Sequence, residues 1–221
     1  IFSAACEKVW FMDEDGGSCC GRPLMLAGRN REARELINHN SELIRKSGAK
    51  TLVTSCPICY NVFRESYYID AEVLHHTEYI KRLIDDRSIR LNFSDKKVVY
   101  HDPCELGRIG KIYDEPRDVL AWVADLREAA DRKEKALCCG GSLANIRLDP
   151  KKKSAIALDT VKKLSSVNPD YIVTSCPLCK KTFAQVSDVK VMDIAEIVAD
   201  EIASLQIRTP HPVSINLREM V

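Results

Sequence analysis

Ten cysteines in 221 residues carry most of the chemistry open to this chain, and nine of them fall into packets. HDPC at 101–104, LCCGGS at 137–142 and TSCPLC at 174–179 set Cys104, Cys138, Cys139, Cys176 and Cys179 in three packets, separated by segments long enough for strand and helix. Thiolates are soft ligands that select zinc, copper(I) or iron-sulfur clusters, and Cys-x-x-Cys lets two sulfurs from one turn reach a common centre. Three such packets brought together make a thiolate-lined pocket.

The layout occurs twice. CCGRPL at 19–24 stands against CCGGSL at 138–143, TLVTSCPICYNVF at 51–63 against YIVTSCPLCKKTF at 171–183, and VLHHTEYIKRLI at 73–84 against VMDIAEIVADEI at 191–202. The offset is 138 − 19 = 119 residues for the double cysteine and 176 − 56 = 120 for the Cys-x-x-Cys. Chance similarity does not hold register across three motifs, and a period this long marks a duplicated domain, not a solenoid unit. The first copy supplies Cys19, Cys20, Cys56 and Cys59 as a second candidate metal set. The counterpart of Cys104 would lie 138 − 104 = 34 residues before Cys19, ahead of Ile1, so the first copy is expected to be truncated. Cys6 is 13 residues before Cys19 and does not fit that spacing; it reads as a small core residue. The expected organisation is a first repeat over 1–95, a second over 96–204 and a tail over 205–221 that docks on a partner or stays loose.

The elements that must position these packets follow from pattern. Ala33, Leu36, Ile37, Asn40 and Ile44 recur at helical spacing, and Gly48 sits where such a helix stops. Lys50 to Ser55 is a β-branched run that delivers Cys56, and Pro57 takes the favoured first position of a following helix. There the free amides and helix dipole stabilise thiolate. Glu72 to Asp86 reads as strand then helix and Ser88 to Asp95 as a connection. The second copy repeats the order: strand from Val98 to His101, helix from Pro116 to Asp125, a strand-like piece before Cys138, helix from Lys151 to Ser165, strand from Tyr171 to Ser175, and helix after Pro177. Ile1 to Trp10 is apolar enough to be buried, and Asp13 to Gly17 reads as a turn. The predicted fold is α/β: two pseudo-symmetric repeats, each a small parallel sheet flanked by helices. The cysteine packets lie at the strand carboxyl ends and face the junction of the halves.

Composition removes several classes. With 33 basic and 32 acidic side chains the net charge is +1, and Lys151 to Lys153 is the longest single-sign run, so nothing points to nucleic acid. No apolar run nears the roughly 20 residues of a membrane span and no leader pattern is visible. The expected protein is soluble, or peripheral through a partner. Cysteines in metal-like packets belong to a reducing compartment, with the cytoplasm as default.

The run of Cys, gap, Cys-Cys-Gly, gap and Cys-x-x-Cys resembles the duplicated CCG cysteine-rich domain of the heterodisulfide reductase B/D family. Related domains occur in iron-sulfur subunits of glycolate, lactate and glycerol-3-phosphate oxidation systems. The resemblance implies that Cys104, Cys138, Cys139, Cys176 and Cys179 bind a non-cubane 4Fe-4S cluster, the fifth thiolate bridging irons. It implies an oxidoreductase subunit that reduces a small thiol/disulfide substrate in one-electron steps, or runs the reverse. The chain has no ferredoxin run, dinucleotide fingerprint or flavin motif, so an electron-donating iron-sulfur or flavin subunit, or a further N-terminal portion, must supply electrons. For Cys19, Cys20, Cys56 and Cys59, four thiolates suffice for zinc or for an iron-sulfur cluster.

Other readings stand beside this one. The chain could pass electrons from a hydroxy-acid or glycerol-3-phosphate dehydrogenase to quinone. It could also be a zinc-stabilised structural module, and the Cys-Pro-x-Cys pieces could be thioredoxin-like dithiols. His101 is a candidate proton donor to a departing thiolate, against a structural role at a strand end. His75 and His76, where the second copy carries Met192 and Asp193, read as loop or core residues. Arg22 and Arg108 could attract an anion or be solvated. Asp102 and Pro103 shape the turn that presents Cys104.

Overall fold

The computed structural model describes residues 1–12, 14 and 18–208. The fold is α/β with two small parallel sheets flanked by helices. The first half runs α1 (Arg22–Leu26), α2 (Asn30–Ser47), β1 (Thr51–Thr54), α3 (Pro57–Ser66), β2 (Glu72–His75) and α4 (His76–Asp85). The second runs β3 (Lys97–His101), α5 (Glu115–Val123), β4 (Asp125–Arg127), α6 (Pro150–Ser165), β5 (Tyr171–Thr174), α7 (Pro177–Ala184), β6 (Lys190–Asp193) and α8 (Ile194–Arg208). β1 pairs with β2, and the other four strands lie in the order β4-β3-β5-β6, every pair parallel. The carboxyl ends within each sheet therefore share one edge, where the packets emerge.

Local chemistry explains the elements. Gly48 closes α2 in the left-handed region at φ 70°, its N–H bonded to the Arg45 carbonyl. Pro57 and Pro177 open α3 and α7 directly after Cys56 and Cys176. The Asp149 carboxylate caps α6 by accepting from the Lys151 and Lys152 amides. In α4 and α8 the Glu at the third helical position, Glu78 or Glu196, accepts the amide of the residue before the helix, His75 or Asp193, at 2.8 and 2.7 Å. Both copies thus turn from strand to helix by the same device.

One apolar cluster joins the halves. Ile80, Leu83 and Ile84 of α4 pack with Val119, Leu120 and Val123 of α5 and Ile194, Ile197, Val198 and Ile202 of α8, under Val98 and Tyr100 of β3. Full burial of each aliphatic side chain is worth about 2 kcal/mol, so the halves share a core. On the other face α6 and α7 cover Val99 and Ile172 with Ala157, Val161, Leu164 and Phe183. Among the described residues no helix is long and apolar enough to cross a membrane.

Several expectations are corrected. Helix α5 ends at Val123 rather than Asp125, because Asp125–Arg127 pairs with Lys97–Val99 as an added edge strand. Cys6 is exposed, at φ 55° in a turn, not in the core. Ile1, Ala4 and Ala5 do pack on the shared core, but Val9, Trp10 and Phe11 are exposed by 52%, 49% and 64%, so the opening segment is buried at one end alone. α8 continues to Arg208, past the expected start of the tail at Leu205, and the rest of the tail lies outside the described residues, as does most of the Asp13 to Gly17 turn.

Candidate metal centre

Cys104 stands just beyond β3 on a turn fixed by charge. Arg117 of α5 donates from Nη1 and Nη2 to the two carboxylate oxygens of Asp102 at 2.7 and 2.9 Å, and from Nε to Glu128 at 2.7 Å. The Lys133 amide adds 2.8 Å to Asp102 Oδ2, tying the Cys104 turn to the segment that leads to Cys138. Asp102 and Pro103 therefore shape the turn as expected, with Arg117 as the partner that fixes it. After Cys104 the chain makes a π turn, Glu105–Ile109, a form frequent at functional sites. A Cβ on Gly107 in that turn would collide with the Tyr113 ring. Asn61 of α3 reaches across from the first half to donate to the Glu105 carbonyl at 2.9 Å.

Cys138 and Cys139 ride a loop held from several sides. Thr160 of α6 donates to the Cys138 carbonyl at 3.0 Å, and the Gly140 and Gly141 amides point at the Cys138 and Cys139 sulfurs at 3.3 and 3.4 Å. Gly140 lies at φ 81°, a conformation that favours glycine. Arg108 donates to the Ala136 carbonyl at 2.8 Å, so its guanidinium braces this loop. Cys176 is the N-cap of α7 and Cys179 lies in its first turn.

The five sulfurs of the second copy form a string. Cys139 and Cys179 meet at 3.3 Å, and Cys104 with Cys138, Cys138 with Cys139, and Cys179 with Cys176 lie near enough to shift one another's protonation, although among the described residues no three donors are grouped around a single point. Cys139, Cys176 and Cys179 are buried, and Cys104 and Cys138 are partly exposed. The protons are shared unevenly. Cys104, with Cys139, pulls Cys138 down to about 2. Cys138 and burial push Cys104 far up. Cys139 is pushed up to about 12 by Cys138, and Cys179 well above its ordinary value by Cys139 and Cys176. Cys176 is lowered by Cys179. Neighbouring sulfurs and burial push Cys104, Cys139 and Cys179 up, so ionising the whole set calls for positive charge among the sulfurs. That is the donor chemistry of a metal site.

The first copy mirrors it with four. Cys20 and Cys56 both hydrogen-bond Cys59, which lowers them to about 6 and about 7 and drives Cys59 far up. Cys19 lies near enough to Cys20 to lower it further. The backbone of Arg22, at the start of α1, assists in lowering Cys20. Asn40 of α2 donates to the Cys19 carbonyl and to the Tyr67 hydroxyl, each at 3.0 Å, and Tyr67 donates to the Cys20 carbonyl at 3.2 Å. Asn40 and Thr160 hold their double-cysteine loops at an offset of 160 − 40 = 120 residues. A polar side chain inside an apolar helical stripe is the sequence signal for Asn40.

The two sets are neighbours, as expected of sites facing the junction of the halves. Ile58, between Cys56 and Cys59, lines one pocket with Cys104, Cys139, Cys176 and Cys179. The charge of Cys56 bears directly on Cys176. His75 and His76 are core residues; strand register sets Asp193, not Met192, in the place of His75, and Ile194 in that of His76.

His101 is 2% exposed, its Nε2 3.1 Å from the Leu137 carbonyl, its Nδ1 3.3 Å from Thr174 Oγ1 and its ring edge-on to Phe183. A carbonyl only accepts, so Nε2 carries the proton, and burial lowers the ring to about 4. The unfolded chain binds a proton near 6.5, so between those values the unfolded state takes up the proton that the fold refuses. Stability is therefore lost as pH falls through that window, by about 2 kcal/mol at pH 5. Urea midpoints at pH 7.5 and 5 measure it. His101→Gln should remove that share of the pH dependence, and an unchanged dependence would refute the assignment.

The family model for the CCG cysteine-rich domain matches the chain twice, over residues 6–64 and 98–184. One polypeptide of the dihydromethanophenazine:CoB–CoM heterodisulfide reductase of Methanosarcina barkeri is 32% identical over 199 residues, covering 82% of this chain and 49% of its own length. The EtfAB:quinone oxidoreductase of Syntrophomonas wolfei is 29% identical over 202 residues, covering 81% and 28%. One polypeptide of the fumarate reductase (CoM/CoB) of Methanothermobacter marburgensis is 28% identical over 193 residues, covering 83% and 38%. The chain thus spans about half the length of the heterodisulfide reductase relatives it matches. With the motif set matched in both halves and the packet cysteines gathered into two adjoining groups, the chain belongs to the CCG cysteine-rich domain family.

Proposed function

We propose that this chain is the iron-sulfur subunit of an oxidoreductase, with Cys104, Cys138, Cys139, Cys176 and Cys179 holding a non-cubane 4Fe-4S cluster. The observation that carries the reading is the string of five neighbouring thiols at the strand carboxyl ends. A structural zinc takes four sulfurs around one point, whereas a cluster gives its irons separate thiolates. When bound, the cluster supplies one-electron redox chemistry. The protein's part is to hold the sulfurs, to aim the Gly140 and Gly141 amides at two of them, and to keep water away with Ile58 and Leu178. His101 in this reading is a positioning residue: its ring fixes Leu137, one residue before Cys138. Cys19, Cys20, Cys56 and Cys59 hold either zinc or a second cluster. Residues 1–95 and 96–204 act as two repeats around these sites.

The substrate reading is a small thiol/disulfide couple, supported by relatives whose names carry a heterodisulfide or CoM/CoB. The EtfAB:quinone oxidoreductase relative favours a second reading, delivery of electrons to quinone. Either way a partner protein carrying iron-sulfur or flavin groups feeds the site, in the cytoplasm or at a membrane through that partner. Anaerobic purification should give a brown protein with about four irons at the second site and a paramagnetic signal on oxidation. Reconstitution with donor should then reduce disulfide in preference to quinone. A colourless protein holding only zinc would overturn the cluster, and quinone turnover alone would overturn the disulfide.

A further inference from the structure

Cys104 has no second cysteine in its packet, so its place depends on the turn that follows it. That turn closes at one atom. The Gly110 amide donates to the Glu105 carbonyl at 3.0 Å, five residues back, where an α-helix would use the amide of Ile109. The same oxygen accepts Asn61 Nδ2 at 2.9 Å, and that nitrogen also lies 3.3 Å from the Glu105 carboxylate. Asn61 is 7% exposed and stands on α3, two residues after Cys59. The donor therefore comes from the first half.

Helix and turn are in close contact. A Cβ on Gly110 would stand 2.7 Å from the Leu106 carbonyl oxygen, 3.3 Å from the Tyr60 ring and 3.4 Å from Asn61 Oδ1, which leaves no room for a side chain. Tyr60 of α3 packs with Leu106 and Ile112 from either end of the turn in a small buried cluster. In the second copy, position 61 + 120 = 181 holds Lys181, which is exposed. The contact belongs to the first half alone.

We propose that Asn61 is a positioning residue for Cys104: its amide holds the π turn that presents this sulfur, so the first half sets a ligand of the second site. A π turn is a rare form that local preference does not select. A carbonyl with two lone pairs can take the Gly110 and Asn61 donors together, and the second donor favours the turn by about fivefold. The proposal rests on Cys104 being a ligand of the second site, and it holds whether the metal there is iron or zinc.

Hydrogen exchange and metal release to a chelator, on the full chain purified anaerobically with its own metals, test this. In Asn61→Leu the Gly110 and Lys111 amides should exchange about fivefold faster, with 175–179 unchanged, and metal should leave the second site about fivefold faster. Asn61→Gln, which keeps an amide donor, should recover most of both. Lys181→Leu, at the equivalent position, should change neither. Unchanged exchange at Gly110 and Lys111 with normal metal content would overturn the proposal alone, as would equal losses in the Leu and Gln variants. Faster exchange with unaltered metal release would remove Cys104 from the ligand set, and so overturn the reading beneath it. Should the Leu variant fold poorly, Asn61→Asp, of the same size without the amide donor, gives the same measurement; wild-type exchange in that variant would refute the role of the amide.

Discussion

Cys139→Ser is expected to empty the second site while leaving the first loaded. Cys139 is the middle of the sulfur string, beside Cys138 on one side and 3.3 Å from Cys179 on the other, and it is 4% exposed. Serine is close to isosteric, so the fold should survive, but a hydroxyl is a poor ligand beside thiolate for soft metals. Losing outer-shell partners of a metal site costs about 10- to 100-fold in affinity, and losing an inner ligand should exceed about 100-fold on that scale. Iron and sulfide per chain, with the paramagnetic signal of the second site, give the measurement. Cys6→Ser is the matched control, since Cys6 is exposed in a turn outside both sets. Wild-type iron in Cys139→Ser would show that the string is not the ligand set.

The parts of this site that are legible in sequence are those fixed by local chemistry. Thr51–Thr54 and Tyr171–Thr174 are β-branched runs stopped by Cys-Pro, and strand followed by helix needs nothing more than that junction. Repeat register then places the packets at one edge. What escapes depends on partners distant in sequence. Asp125–Arg127 has no strand signal of its own and exists because Lys97–Val99 offers an open edge. The π turn after Cys104 depends on Gly107 fitting against Tyr113. Cys6 departs from expectation because burial of a lone cysteine is a tendency of the residue type, which its turn overrides. Thr160 is legible in principle, since it stands 120 residues from Asn40 and both interrupt apolar helical faces.

Arg117 is not readable at all, and it carries the second large effect. Among 33 basic residues nothing in sequence marks it for burial, yet its side chain is 10% exposed and that of Asp102 is 3% exposed. Their fork of two hydrogen bonds compensates charges that water would otherwise solvate. Arg117→Met keeps much of the bulk and removes the charge, leaving the Asp102 carboxylate buried with the Lys133 amide and no countercharge from Arg117. Breaking a buried pair from one side costs about 3 to 5 kcal/mol, which would appear as a lower urea midpoint with little change in slope. Lysine is no substitute for the fork, because an ammonium cannot bind both carboxylate oxygens and Glu128 in one plane; Arg117→Lys should recover less than half of the loss. Asp102 also joins the turn bearing Cys104 to the segment before Cys138, so the metal of the second site should dissociate faster in Arg117→Met than in a surface variant of matched stability. A stability loss below about 1 kcal/mol would place this pair among exposed ion pairs and remove its claim to set the position of Cys104.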